Sequence, residues 1–424
     1  MSGYSLLSKN EIEAELLSLR SEYKNYASGG LSLDLSRGKP NSSQLDVSQG
    51  LLSVELDRDA CLYGGLDCRN YGVLDGLPAM KRFFAEALSV EEEKIIVGGN
   101  SSLQLMYDTI SRAMIFGLPE SERPWCNEVG RKWLCVTPGY DRHFRITELF
   151  GFELVSVPMT ECGPDMELVE ELVKDPAVKG IWCVPKYSNP TGNTYSDETV
   201  RRLASMECGA PDFRIMWDNA YAIHDFDEQG DSLADIFAEC DKAGNPDRVF
   251  YFSSTSKVTF PGGGVAMMAA SEKNRKWILP HMGAQTIGYD KLNQLRHLKF
   301  FGSADSLRSH MLSLGEMIGE KFSIVLKGLS VLKGLGIASW TEPRGGYFVS
   351  LDCYPGTAKR VYALMKEAGV TLTPVGATFP YGVDPEDKNL RIAPTYPTDE
   401  ELTLAVEILT LSVRIAALEK MLEA

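Results

Sequence analysis

The segment Phe250-Tyr251-Phe252-Ser253-Ser254-Thr255-Ser256-Lys257 puts a lysine behind a run of hydroxyls at the end of an aromatic stretch, just ahead of Pro261-Gly262-Gly263-Gly264. A lysine that forms a Schiff base needs this setting. Partial desolvation makes its amine nucleophilic near neutral pH, and hydroxyls beside it can hold a phosphate. An isolated Ser-x-Ser-Lys is also an ordinary surface loop, so its neighbours must decide. The first neighbour is Trp217-Asp218-Asn219-Ala220-Tyr221, where a carboxylate closes the apolar run FRIMW and a phenol follows three residues later. Such a carboxylate can keep a ring nitrogen protonated and so make the ring an electron sink. It can equally cap a following helix. The second is Tyr187-Ser188-Asn189-Pro190-Thr191-Gly192, a tight turn by composition whose Asn189 can also bond a ring oxygen and a substrate. A third is Arg391 in LRIAP, able to grip a carboxylate with two parallel hydrogen bonds, or to make an interlobe salt bridge.

Something must bring these distant segments together. Between about 90 and 270, short apolar runs recur between helical stretches: KIIVGG, KWLCVTP, ELVSVPM, GIWCVPK, FRIMWDN, RVFYFSS and GVAMMAA. This rhythm predicts a mainly parallel sheet of seven strands covered by helices on both faces. In such sheets ligands sit beyond the carboxyl ends of the strands. The lysine, aspartate and asparagine clusters each follow one of these runs directly, which predicts one shared pocket. Before the sheet, residues 9–26 have helical apolar spacing, and LSLDLS at 31–36 reads as a short strand running into the turn RGKPN, which exposes Arg37 and Gly38. After it, residues 271–330 read as helical, GYFVSLDCY and LRIAPTYP as strands of a smaller lobe, and ELTLAVEILTLSVRIAALEKMLEA as a closing helix. The expected division is a large lobe over 46–300 and a small α+β lobe made of 1–45 and 301–424.

A chain of 424 residues exceeds the size of one hydrophobic core. With 44% hydrophobic and 24% charged residues it has an ordinary globular composition. A formal charge of −15 disfavours nucleic acid and anionic membrane as partners, because phosphate affinity comes from clustered Lys and Arg. The nine cysteines contain no CxxC pair and are odd in number, which argues against a zinc site and a disulfide framework and for a cytoplasmic location. No apolar run approaches the roughly 20 residues needed to span a bilayer, and the first residues lack the pattern of a signal peptide.

SNPTG, WDNAY and SxSK, in this order and rough spacing, resemble the class I aminotransferases of fold type I. The likeness extends to Tyr71 in RNYGVLDGLPAMKRF, five residues before a Gly-Leu pair, and to Arg391. The resemblance implies pyridoxal 5′-phosphate as cofactor. Lys257 would carry it as a Schiff base and move the proton between the substrate's α-carbon and the cofactor. Asp218 would pair with the ring nitrogen, and Tyr221 and Asn189 would bond the 3′ oxygen. Ser254, Ser256 and Gly99-Asn100-Ser101 at a helix start would hold the phosphate dianion, which a helix N-terminus suits. Tyr140 in TPGYDRH would stack on the ring, or is an exposed turn tyrosine. Tyr71 would reach the phosphate of a neighbouring subunit, which implies a homodimer with shared sites. Arg391 would grip the substrate α-carboxylate.

One departure stands out. The family commonly has an arginine eight residues after the lysine, where this chain has Val265. Phosphate binding must lean on other donors, and the glycine run at 262–264 is a candidate source of N–H groups. Together with LSRGKPN, YGVLDGLPAMK and GGNSSLQLMYD, this resembles a divergent aspartate aminotransferase subgroup. A dicarboxylic donor such as aspartate, with 2-oxoglutarate as acceptor, needs a second cation. Arg37 beside Gly38 is the candidate, with Arg142 and His143 behind it; Arg37 could equally just bond the chain around its turn.

Rival readings are a β-lyase on the same cofactor, or an aminotransferase for aromatic or 2-aminoadipate-type donors. A further rival is an aminotransferase-like effector module of a regulator, for which the roughly thirty residues before the first strand leave no room for a helix-turn-helix domain. A nicotinamide-dependent dehydrogenase is disfavoured because no GxGxxG follows a first strand.

Overall fold

A computed structural model describes residues 3–423. All seven apolar runs become strands of one sheet: β1 (Ile95–Val97), β2 (Lys132–Thr137), β3 (Glu153–Thr160), β5 (Val178–Cys183), β6 (Arg214–Asp218), β7 (Val249–Ser254) and β8 (Ala266–Ala270). An eighth, β4 (Gly163–Pro164), returns antiparallel along the end of β3. It is a two-residue hairpin arm with no apolar run to announce it, which is why seven strands were expected. The sheet order is β1-β8-β7-β6-β5-β2-β3-β4. Parallel pairing runs through β7, β6, β5, β2 and β3, while β8 is antiparallel to both β7 and β1.

Both faces of this sheet are covered, and strand periodicity shows how. In β2, Leu134 and Val136 enter one apolar core while Trp133 and Cys135 enter the other; in β7, Val249 and Tyr251 separate from Phe250 and Phe252 in the same way. Successive side chains of a strand point to opposite faces. Burial on both sides explains why these strands read as continuous apolar runs rather than as alternating ones.

Helix α1 (Lys9–Ala27) starts with a capping box between Ser8 and Glu11, which satisfies two backbone donors at once. Helices α2 (Ser102–Phe116) and α3 (Asp141–Leu149) follow β1 and β2. Helix α4 (Ala304–Leu329) bridges the molecule: Leu307, Met311 and Leu314 lie in a core of the large sheet, and Ile318, Phe322 and Val325 lie in a separate core. That second core also holds α1, the closing helix α5 (Asp399–Glu423) and the antiparallel strands β9 (Ala338–Trp340), β10 (Val349–Cys353) and β11 (Asn389–Ile392). Arg20 of α1 pairs with Glu419 of α5 at 2.8 Å. The strand expected over 31–36 shrinks to Leu33–Asp34, paired in parallel with Val370–Thr371. Among the described residues no helix is long and apolar enough to cross a membrane.

Candidate active site

The carboxyl ends of β1, β2, β5, β6 and β7 converge on one cavity of about 160 Å³, bounded by Ser101, Ser102, Tyr140, Asn189, Asp218, Tyr221, Ser254, Ser256 and Lys257. Each side chain arrives by a short route. Asp218 is the last residue of β6, Ser254 the last of β7, and Ser101 is the N-cap of α2. Asn189 precedes a cis proline after β5, and Tyr140 precedes α3. A larger cavity at the opposite ends of the strands contains Lys179, but that amine is spent on Asp212 at 3.0 Å and Glu128 at 2.7 Å.

At the floor, Asp218 is 3% exposed. Its Oδ2 lies 2.9 Å from His143 Nε2, and that imidazole stacks on Trp182 with ring centroids 4.5 Å apart. The other oxygen, Oδ1, is buried with no partner among the described residues. A buried carboxylate oxygen left unpaired is costly, so the site is built to receive a donor there. A protonated ring nitrogen fits.

On the wall, the Lys257 amine lies 4.6 Å from the centre of the Tyr221 ring and 5.7 Å from that of Tyr347. Burial pushes its pKa below the usual lysine range, against the pull of Tyr140 and Asp218, and Arg391 adds to the lowering. The Tyr221 hydroxyl is pushed up by burial and by Asp218. The Tyr140 hydroxyl is raised to about 12 by burial. Both phenols are therefore neutral donors at pH 7.

An anion cup closes the far end. Ser256 Oγ donates to the Asn100 carbonyl at 2.8 Å and accepts from Ser254 Oγ at 3.1 Å. The Ser101 side chain makes no cap on α2, so first-turn N–H groups remain for a ligand, as a phosphate requires. Gly99 connects β1 to this turn and pairs its carbonyl with the Ala266 N–H at 2.7 Å. Val265, at the position of the expected arginine, is 2% exposed and exchanges hydrogen bonds with Thr255 behind the cup. The glycine run does not bound the cavity. Gly263 donates to the Phe260 carbonyl, and a Cβ on Gly264 would lie 3.1 Å from Ser256 N, so the run supports the hydroxyl loop from behind.

Arg391 comes from β11 of the smaller sheet. Its Nη1 donates to Asp141 Oδ1 at 3.0 Å and to Asn189 Oδ1 at 3.3 Å, and its guanidinium lies 4.9 Å above the Phe348 ring. Gly38 is pressed against the other atoms of that ring: a Cβ there would sit 2.3 Å from Phe348 Cζ. Thr373 links the same turn to the arginine, donating to the Ser36 carbonyl at 2.8 Å and lying 3.4 Å from Arg391 Nε. The turn that carries Arg37 is thus fastened near Arg391, with Arg37 itself exposed. Arg142 is also exposed. His143 is not available for a substrate carboxylate, because it is 1% exposed and its Nε2 is occupied by Asp218. Of the expected cofactor residues, Gly99 and Asn100 stand behind the lining residue Ser101 rather than on the cavity wall, and Tyr71, 78% exposed, is not brought to this chain's own cavity.

Four contributors escaped the sequence reading: Asp141 on Arg391, His143 in its role under Asp218, Tyr347, and His224. The ring of His224 is 4% exposed and packs edge-on to Tyr221 and Tyr347, with centroids 5.5 and 5.8 Å away. For His143 there was a signal, since it follows Tyr140 by three residues and so shares its helix face.

Comparison with known proteins identifies the family and the fold. The family described as aspartate amino-transferase matches over residues 7–424. An aspartate aminotransferase of Corynebacterium glutamicum is 47% identical over 98% of both chains. The crystal structure of an aspartate transaminase from the same species superposes with a TM-score of 0.96, at 46% identity and 98% coverage of each chain. An α-aminoadipate aminotransferase of Thermus thermophilus, solved with N-(5′-phosphopyridoxyl)-L-leucine, shares the fold at 21% identity with a TM-score of 0.72, covering 98% of this chain and 96% of its own.

Proposed function

The chain belongs to the aspartate amino-transferase family and is a pyridoxal-phosphate-dependent aminotransferase of fold type I, and we propose that it moves the amino group of aspartate, or of a similar dicarboxylic amino acid, to 2-oxoglutarate. Donor and acceptor use one pocket in turn, a ping-pong scheme. The observation that carries the reading is the unpaired, buried Asp218 Oδ1 facing the same small cavity as the Lys257 amine.

Pyridoxal phosphate, when bound, supplies the electron sink that stabilises negative charge at the substrate's α-carbon. Asp218, propped by His143, would hold a proton on the ring nitrogen at Oδ1. The Tyr221 hydroxyl and the Asn189 side-chain amide would bond the 3′ oxygen, and Tyr140 would pack against the ring. Ser254, Ser256 and the N–H groups of the Gly99-Asn100-Ser101 turn would hold the phosphate. Lys257 would anchor the cofactor, and its amine, with a pKa lowered by burial, would take and hold the substrate's α-proton at Nζ. Arg391 would grip the α-carboxylate, and Arg37, beside Gly38, is assigned the side-chain carboxylate.

Tyr71 is assigned to the phosphate of a second subunit, since it is exposed on a turn outside its own cavity, so the working unit is a homodimer with shared sites. The division proposed is a large lobe at 46–300 and a small lobe at 1–45 and 301–424; the distinct cores around the two sheets support it, with α4 contributing to both. The nine cysteines are free thiols, which suits a reducing cytoplasm.

The test is a two-substrate assay. Aspartate and 2-oxoglutarate should give oxaloacetate and glutamate, with parallel double-reciprocal lines and no turnover when the oxo acid is omitted. Release of pyruvate and ammonia from cysteine without an acceptor would place the enzyme among β-lyases instead.

A further inference from the structure

The arginine assigned to the substrate α-carboxylate already has a carboxylate on it. Arg391 Nη1 is engaged by Asp141 Oδ1 at 3.0 Å and by Asn189 Oδ1 at 3.3 Å, and Nε lies 3.4 Å from Thr373 Oγ1. Nη2 has no partner among the described residues. A two-pronged grip on a carboxylate uses two neighbouring N–H groups of the planar fork. With Nη1 already engaged by Asp141 and Asn189, a grip through Nη1 and Nη2 competes with Asp141, the charged partner.

The two partners are not equally able to be left alone. The Arg391 side chain is 9% exposed, whereas that of Asp141 is 34% exposed. Removing the only carboxylate from a buried guanidinium leaves an uncompensated charge, while a half-exposed carboxylate that swings away regains water. Asp141 is therefore the partner that leaves. The backbone around it is fixed, since Tyr140 bounds the cavity and His143 is tied to Asp218, so the exchange is a side-chain rotation. It also changes what joins the lobes. Arg391 stands on β11 of the smaller sheet and Asp141 opens α3 above the large one. A direct interlobe ion pair is thereby replaced by one that passes through the substrate.

We propose that Asp141 is a built-in placeholder for the substrate α-carboxylate: it keeps Arg391 paired while the pocket is empty, is displaced when substrate binds, and so sets substrate affinity by competition. This rests on the assignment of Arg391 to that carboxylate.

The experiment measures binding of succinate, a dicarboxylate with no amine to transfer, by spectral titration of the cofactor-loaded enzyme, alongside the KM for aspartate. In Asp141→Asn the competing charge is gone. Succinate should bind about tenfold more tightly, the factor corresponding to about 1.4 kcal/mol, and the KM for aspartate should fall in parallel. Asp141→Glu, which keeps the charge, should return both values towards wild type. Asp141→Ala checks that the gain does not depend on the asparagine amide. Weaker or unchanged succinate binding in both Asp141→Asn and Asp141→Ala would overturn the placeholder role, since a residue that merely orients Arg391 would lower affinity when removed. Arg391→Gln separates the two ideas: loss of succinate binding there upholds the arginine assignment whatever Asp141 does, and unchanged binding would overturn both.

Discussion

Acid should weaken this protein at His224. The ring is buried and its pKa is lowered to about 3 from 6.5. Burial is the chief cause, and the Lys257 charge adds to it. A folded-state pKa below the unfolded one means that the unfolded chain binds the extra proton first. The stability this imidazole permits is therefore complete above pH 6.5 and is lost as pH falls from 6.5 towards 3. At about 1.4 kcal/mol per pH unit, acidification to pH 4.5 costs roughly 3 kcal/mol at this residue alone. Because the ring packs against Tyr221 and Tyr347, the wall behind Lys257 should loosen. His224→Gln cannot titrate. Its unfolding temperature relative to wild type should therefore rise progressively as pH falls from 6.5 to 4.5, by about 3 °C over that range for a chain of this length, and its cofactor should be retained to lower pH. Differential scanning fluorimetry across that range, with absorbance of the retained cofactor, measures both. A wild-type-minus-variant difference that stays constant with pH would refute the reasoning.

The remaining predictions concern the substrate grip and the subunit boundary. Arg391→Lys keeps the charge but loses the planar fork, so kcat/KM for aspartate should drop by about two orders of magnitude, corresponding to about 3 kcal/mol, as steady-state kinetics will show. Gly38→Ala forces a methyl into Phe348, whose ring lies under Arg391. Overpacking of this kind costs about 1–3 kcal/mol, and the KM for aspartate should rise several-fold while the cofactor spectrum is kept. Tyr71→Phe should weaken cofactor retention on dilution if Tyr71 completes the neighbouring subunit's site; equilibrium dialysis at several protein concentrations checks it.

Much of the architecture was legible in the sequence because strands buried on both faces are continuous apolar runs, and because ligand-binding residues of such sheets cluster where the runs stop. Lys257, Asp218, Asn189 and Ser254 were assigned to one pocket that way, and they line one cavity. What escaped depends on contacts across long chain separations. Asp141 meets Arg391 over 250 positions and His143 meets Asp218 over 75, and neither pair leaves a local pattern. His224 looked like any histidine in a loop, since only the packing of Tyr221 and Tyr347 around it reveals a buried ring. Val265 was noticed as a missing arginine, but not as a core residue whose backbone fastens Thr255 from behind. β4 is too short for any periodicity to show.

The most direct test of the whole account is the absorbance spectrum of the cofactor-loaded protein before and after aspartate alone, for wild type and Lys257→Ala. The account predicts that in wild type the band of the lysine-bound cofactor gives way to that of the aminated cofactor, with one oxaloacetate released per site, and that Lys257→Ala releases none. A wild-type band that does not respond to aspartate would contradict the assigned donor, and oxaloacetate formation by Lys257→Ala at the wild-type rate would contradict the role given to Lys257.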